Sequence, residues 1–146
     1  MNTKFTLKNF RVFDSKGVTI DLRPITLLTG CNSSGKSSIV KALMLLSDYF
    51  QATLNERDPS GNLFLEHELD FTKEPHNLLG NFSEIVNDKS DDKIVSMTIE
   101  KDGVLKENGK GTDVEIELQF KKSDFNELKN GQFKSVKINV SLSDFG

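Results

Sequence analysis

Tryptophan is absent from this chain of 146 residues, and cysteine occurs only once, at Cys31. A lone cysteine cannot form an internal disulfide. The two histidines, His67 and His76, stand apart from Cys31, and their spacing does not match a zinc site. The sequence therefore excludes a disulfide framework and predicts no zinc centre.

Long apolar runs and a strong excess of one charge are also missing. The longest apolar run, at 39–46, is interrupted by Lys41 and falls short of the roughly 20 residues that a membrane span needs. The N-terminus has no apolar signal-peptide core, so we expect a cytoplasmic location and no membrane partner. A net charge of −3 provides no general attraction for nucleic acid, so contact with DNA would need a local basic patch or a further part of the protein.

The chain does contain a phosphate-binding motif. Residues 30–37 fit G-x-x-x-x-G-K-[ST] without a mismatch, and the candidate nucleotide-binding residues are Gly30, Cys31, Asn32, Ser33, Ser34, Gly35, Lys36, Ser37 and Ser38. An apolar stretch, Ile25–Leu28, precedes the loop and a helical pattern follows it, as this motif requires. An ordinary glycine-containing turn capped by a serine is the weaker alternative, because it does not explain that context.

The fixed positions of the motif have chemical reasons. Glycine at positions 30 and 35 allows backbone angles, and a close approach to an anion, that a Cβ atom would hinder. Backbone N–H groups and the positive end of the helix dipole would surround the α and β phosphates. Lys36 would reach the β and γ phosphates as the catalytic cation, and the Ser37 hydroxyl would bind Mg²⁺. The sequence therefore predicts binding of ATP and Mg²⁺.

Hydrophobic periodicity predicts the elements around this loop. Alternation at 4–10 and 18–22 predicts an antiparallel hairpin, with residues 11–13 continuing its first strand. The denser run Ile25–Leu28 predicts a strand covered on both faces. Apolar residues recur at helical spacing over 39–50, which predicts a helix that packs on the sheet.

The second half of the chain has a different pattern. Three alternating runs, at 94–99, 114–120 and 136–142, are joined by turn-forming residues and predict an antiparallel meander with one solvated face. Before them, Asn81 is placed to cap a short helix over 82–86. The predicted fold class is therefore mixed α/β: a P-loop lobe with a strand-loop-helix core and an antiparallel β-meander.

The segment Leu63–Glu68 has apolar residues followed by an acid, as a Walker B strand does. Only three apolar residues precede Glu66, and the segment follows the loop helix closely. A short extended piece with solvated acids is the better interpretation, so no water-orienting acid or magnesium-holding aspartate is identified. Because phosphoryl transfer depends on such groups, we expect this chain alone to be inactive as an ATPase.

Two stretches, Leu7–Arg11 and Ile25–Ser38, together resemble the N-terminal part of ABC-type ATPase heads of the SMC/RecF/OLD group. The form of Asn32–Ser38 looks most like the bacterial RecF-like AAA-family ATPases associated with DNA repair or phage defence. Leu79–Val86 matches more loosely a turn that precedes antiparallel strands in those proteins. Many relatives have glycine where this chain has Ser33, so the phosphate cradle is expected to be less pliant here.

The resemblance implies that the chain is the ATP-binding half of a larger ATPase. Those proteins carry the signature motif, the Walker B strand and a switch histidine in a C-terminal lobe, and none of these motifs is found here. We therefore expect residues 1–146 to form a single N-terminal lobe, with a phosphate-binding core at about 1–54 and an antiparallel region at about 63–146. The C-terminal lobe is expected to be absent.

The resemblance also implies partners and one more site residue. Arg11 would lie near the nucleotide. The equally weighted alternative is that Arg11 is an exposed strand residue with no role in binding. The full-length protein would form a head-to-head homodimer around ATP and has DNA as a possible partner. This lobe alone is expected to be largely monomeric, or to self-associate through exposed sheet edges in a way that nucleotide does not control.

Two other functions stay open. A P-loop small-molecule kinase begins with a similar strand and loop, but it continues in alternating β and α units, whereas this chain turns to antiparallel strands. A non-catalytic module could instead hold a nucleotide only to order an interaction surface. Fold likeness does not supply the biological role.

Overall fold

The structure is a computed structural model, and it describes residues 2–55, 81–103, 106–107, 110–122 and 131–144. Its elements, in chain order, are β1 Thr3–Lys8, β2 Val18–Leu22, α1 Lys36–Asn55, α2 Phe82–Ile85, β3 Val95–Lys101, β4 Lys106–Glu107, β5 Lys110–Lys122 and β6 Gly131–Asp144. This arrangement is mixed α/β, as the sequence predicts.

The strands of the described chain form one antiparallel sheet. The order is β2-β1-β3-β5, and β4 and β6 both pair with β5. The predicted hairpin, β1 with β2, and the predicted meander of β3, β5 and β6 are both confirmed. Strand β1 also pairs with β3, where Phe5 lies opposite Ile99. The hairpin and the meander therefore share a sheet, a long-range pairing that local periodicity does not reveal.

The core lies between α1 and this sheet. Its buried residues come from the helices and the strands alike, and they are Phe5, Leu7, Phe10, Ala42, Leu45, Leu46, Tyr49, Phe82, Ile85, Val86, Val95, Met97, Leu118 and Phe120. The ring of Tyr49 meets the ring of Phe120 edge-on, with the centroids 5.4 Å apart. Burial raises the pKa of the Tyr49 hydroxyl above its ordinary value. This contact attaches α1 to β5.

Both helices follow the sequence prediction. The helix α1 begins at Lys36, directly after the motif loop. The short helix α2 begins with a capping box, in which Asn81 Oδ1 accepts the Glu84 N–H at 3.2 Å and Glu84 Oε2 accepts the Asn81 N–H at 2.9 Å. The Walker B-like segment Leu63–Glu68 lies outside the described residues. Neither helix in the described part of the chain combines the length and apolar character needed to cross a membrane.

The predicted strand at Ile25–Leu28 is wrong. The segment does not form a strand, and Ile25 and Leu27 are 90% and 84% exposed. No backbone hydrogen bond joins residues 25–29 to another residue in the described ranges. A strand that is covered on both faces needs neighbours on its edges. Apolar composition favours such pairing, but it cannot supply the partner.

The predicted continuation of the first strand through residues 11–13 is also wrong. Strand β1 ends at Lys8, and Asn9 and Arg11 have positive φ angles of 56° and 52°. The Phe13 N–H donates to the Phe10 carbonyl at 3.0 Å and closes a tight turn. The chain reverses here because the left-handed residues on either side of buried Phe10 turn it out of the extended conformation.

We expect Phe5→Ala to lower the free energy of unfolding by about 3–5 kcal/mol, because it removes a buried ring and leaves a cavity. Phe5 is fully buried on β1, which pairs with a strand on each edge. The matched control is Thr6→Ala, on the opposite face, where the Thr6 and Thr19 hydroxyls lie 2.8 Å apart and exposed. It should lose no more than about 1.5 kcal/mol. Urea denaturation measures both, and equal losses would contradict the placement of Phe5 in the core.

Candidate phosphate-binding site

The motif loop, the turn after β1 and the start of α1 line one cavity of about 370 Å³. The lining residues are Arg11, Val12, Asn32, Ser33, Ser34, Gly35, Lys36, Ser37, Ser38 and Lys41. This volume lies within the range of small-ligand pockets. The structure therefore brings Arg11 together with most of the predicted loop residues. Gly30 and Cys31 are not among the lining residues, and the Cys31 thiol is free and exposed.

The electrostatics of this cavity suit an anion. Three lining residues are cationic, Arg11, Lys36 and Lys41, and none of the described lining residues is a carboxylate. The first turn of α1 contains no acidic residue either. The helical hydrogen bonds begin with the Ile39 N–H donating to the Gly35 carbonyl at 3.0 Å. The N–H groups of the first turn have no carbonyl one turn back, so the positive end of the helix is open to a ligand.

The ammonium group of Lys36 folds back onto the motif loop. Its Nζ donates to the Gly30 carbonyl at 2.8 Å, to the Cys31 carbonyl, and to Ser34 Oγ at 3.1 Å. Gly30 and Cys31 thus contribute carbonyl oxygens that hold the lysine. A phosphate that binds Lys36 would have to replace some of these contacts.

Both motif glycines have positive φ angles, and Gly35 is also tightly packed. Gly30 has a φ of 147°, and Gly35 has a φ of 91°. A Cβ atom at Gly35 would lie 2.4 Å from Cζ of Phe13 and 2.9 Å from Cγ2 of Val12. Gly35 is therefore required because the turn after β1 packs directly on the loop, a reason that the motif alone does not disclose.

Ser33 occupies a conformation that favours glycine. Its φ is 64°, and the residue is exposed. Residues with a side chain adopt this left-handed region at a cost of about 1–2 kcal/mol. The resemblance implies a less pliant cradle with a serine here, and the left-handed φ angle of Ser33 is consistent with local backbone strain.

Sequence reasoning missed two residues of this neighbourhood. Lys41 lines the cavity because it follows Ser37 by four residues and so lies on the same helix face. That spacing was an available signal. Asn87, whose side-chain amide donates to the Arg11 carbonyl, had no such signal because 76 residues separate the two.

Metal binding has few candidate ligands here. Within the described ranges, no three His, Cys, Asp or Glu residues cluster closely enough to hold a metal ion. The Ser37 hydroxyl is exposed at the start of α1 and lines the cavity. It is the kind of hard oxygen ligand that Mg²⁺ accepts together with phosphate oxygens and water. The lining residues thus fit a phosphate group better than a protein-held metal.

Comparison with known families assigns the class of the protein. The family model for AAA ATPase domains matches residues 1–144. The chain belongs to this AAA ATPase domain family. Membership implies an ATP-binding ATPase function and use of a nucleotide, usually with Mg²⁺. Searches of curated proteins and of solved structures find no match.

Membership of this family indicates which kind of ligand the cavity of this AAA ATPase domain could bind, namely a nucleotide. A nucleotide carries the phosphates that the three cations of the described lining would bind. The AAA class also favours an ATPase over the small-molecule kinase. The match does not distinguish groups of ATPases, so the SMC/RecF/OLD likeness stays a hypothesis.

Two glycine-related substitutions in the loop of the AAA ATPase domain should affect stability differently. Gly35→Ala should lower the free energy of unfolding by at least about 1–2 kcal/mol, because a left-handed residue gains a Cβ atom and that atom meets Phe13. Ser33→Gly should be neutral or stabilising by up to about 1 kcal/mol, because the strain is relieved while the unfolded chain gains freedom. Thermal unfolding measures both. An unchanged Gly35→Ala variant would contradict the packing of the turn on the loop.

Proposed function

We propose that this AAA ATPase domain binds ATP with Mg²⁺ through Gly30–Ser38. The observation that carries the proposal is the open N-terminus of α1, which faces a cavity lined by three cations and no described carboxylate. Backbone N–H groups of the loop would hold the α and β phosphates, and Lys36 would exchange its loop contacts for the β and γ phosphates. Ser37 would provide the protein ligand to Mg²⁺.

Two further cations add to the site in this proposal. Arg11 lies on the turn after β1, and Lys41 lies one helical turn beyond Ser37. Both lie beyond the G-x-x-x-x-G-K-[ST] motif, so they would extend the positive lining past the loop itself. Cationic groups placed around a phosphate chain neutralise its charge through charge-assisted hydrogen bonds.

We further propose that residues 1–146 are one lobe of an SMC/RecF-like ATPase that couples ATP binding and hydrolysis to DNA repair or phage defence. The order of hairpin, loop, helix, capped turn and antiparallel strands supports this group. ATP hydrolysis would need a water-orienting acid from another part of the protein, and the resemblance assigns that acid to the C-terminal lobe.

Two exposed apolar surfaces support a C-terminal lobe as the partner. The first is the segment 25–28, with Ile25 and Leu27 almost fully exposed. The second is the outer face of α1, where Val40, Met44 and Leu54 are 48%, 36% and 60% exposed. Exposed aliphatic groups at an unpaired segment and along a helix face are typical of surfaces that pack against another element. We propose that this lobe pairs with residues 25–29, covers α1, and completes a head that dimerises around ATP.

A non-catalytic module that holds a nucleotide to order an interaction surface is the second candidate. It is supported by the lack of a carboxylate among the described lining residues, because catalysis of hydrolysis needs a group that orients water.

Lys36→Ala should weaken ATP binding by about 10- to 150-fold, because it removes a charge-assisted contact to the phosphates. Isothermal titration of ATP with magnesium measures the affinity. The matched control is Lys101→Ala, which makes the same charge change at the exposed end of β3, outside the cavity lining. Equal affinity of the wild type and Lys36→Ala would overturn the assignment, and an equal loss in Lys101→Ala would show a general charge effect instead.

The backbone amides of residues 25–29 should exchange hydrogen as fast as an unprotected peptide in the 146-residue chain, because they lack described backbone partners. The amides of Thr3–Leu7, which have strand partners on both sides, should exchange slowly and serve as the internal control. Hydrogen exchange followed by mass spectrometry measures both segments. Protection of residues 25–29 in this chain would contradict a partner strand from the C-terminal lobe, and protection gained only in a longer form with that lobe would support it.

A further inference from the structure

Arg11 reaches the cavity from an unusual backbone conformation. Its φ is 52°, in the left-handed region that residues with a side chain rarely adopt, and Asn9 has a φ of 56°. Such residues persist only where the surrounding structure holds them. The contacts that hold this turn therefore decide where the guanidinium group can reach.

Asn87 holds the turn on both sides of Phe10. Its side-chain Nδ2 donates to the Arg11 carbonyl, and its backbone N–H donates to the Asn9 carbonyl at 3.0 Å. The Arg11 N–H donates in turn to the carbonyl of Ile85, two residues before Asn87. Both left-handed residues are thus bonded to the end of α2 or to Asn87 just after it.

The amide of Asn87 is suited to this role. The residue is buried, with 9% of its surface exposed, and its Oδ1 accepts the Lys89 N–H at 3.0 Å. Its NH₂ group faces a carbonyl and its oxygen faces an N–H, so only one orientation of the amide satisfies both partners. An aspartate would keep the acceptor but lose the donor.

The other side of the turn contacts the phosphate-binding loop. Val12 and Phe13 pack over Gly35, and Arg11 and Val12 line the same cavity as the loop. A continuous set of contacts therefore runs from Asn87 through Arg11 to the nucleotide site. Neither Asn87 nor Ile85 is among the cavity lining residues.

We propose that Asn87 is a positioning residue for the nucleotide site: its amide holds the left-handed turn that places Arg11 beside the phosphate-binding loop. This inference rests on the proposed function. Arg11 is exposed and has a long side chain, so its contact with a phosphate depends on how well its backbone is placed beforehand. We expect loss of the Asn87 amide to weaken ATP binding mainly through Arg11, because the amide bonds the Arg11 carbonyl directly.

A double-mutant cycle tests this proposal by titration calorimetry with ATP and magnesium. Arg11→Ala should weaken binding by about tenfold, and Asn87→Ala by about threefold or more. The double variant should bind nearly as weakly as Arg11→Ala alone, because the cationic group that Asn87 positions is then missing. The matched control is Ser90→Ala: Ser90 is equally buried near Asn87, but its hydroxyl bonds Asp92, and this variant should bind like the wild type.

The outcomes separate this proposal from the proposed function. A wild-type chain that binds no ATP would overturn the proposed function and this inference with it. Equal loss from Asn87→Ala in both backgrounds, or no loss in the wild-type background, would overturn the inference alone. If circular dichroism shows that Asn87→Ala does not fold, Asn87→Asp replaces it in the same cycle. A through-space effect of the new charge would persist in the Arg11→Ala background, whereas loss of positioning would not.

Discussion

The contact of Phe13 and Val12 with Gly35 is the constraint on which the candidate site depends. It presses the turn after β1 against the motif loop, at a position where a Cβ atom would meet the Phe13 ring at 2.4 Å. Because β1 is paired with a strand on each edge, the start of the turn that follows it is held in place by the sheet. The position of the loop is therefore set by the sheet as well as by α1, which follows the loop.

The three cations that line the cavity come from different parts of the fold. Lys36 comes from the start of α1, Lys41 from the next turn of that helix, and Arg11 from the turn after β1. Lys36 already has three partners in the loop, so binding to a phosphate would exchange hydrogen bonds and not simply add them. The net gain from that exchange is the difference between a charged phosphate contact and the carbonyl contacts that it replaces.

The described elements build a complete core on only one side of α1. The side that faces the sheet is buried through Leu45, Leu46 and Tyr49, whereas Val40 and Leu54 stay exposed on the other. The segment 25–28, which leads into the motif loop, likewise has Ile25 and Leu27 exposed to solvent. Both exposed surfaces border the elements that form the phosphate site. This arrangement places the candidate site beside exposed apolar surfaces.

The sequence by itself determined the motif, the helix after it, the capped turn at Asn81 and the alternating strands, because each depends on residues close together in the chain. It also predicted an antiparallel hairpin at the N-terminus. Membership of the AAA ATPase domain family is consistent with the P-loop that the motif indicates.

Tertiary structure alone decided the features that join distant residues. The pairing of β1 with β3, the packing of Phe13 on Gly35 and the bond from Asn87 to Arg11 are long-range contacts that no local pattern encodes. The same reason explains the wrong strand at Ile25–Leu28. Apolar composition is local, but a strand exists only where a second strand completes its hydrogen bonds.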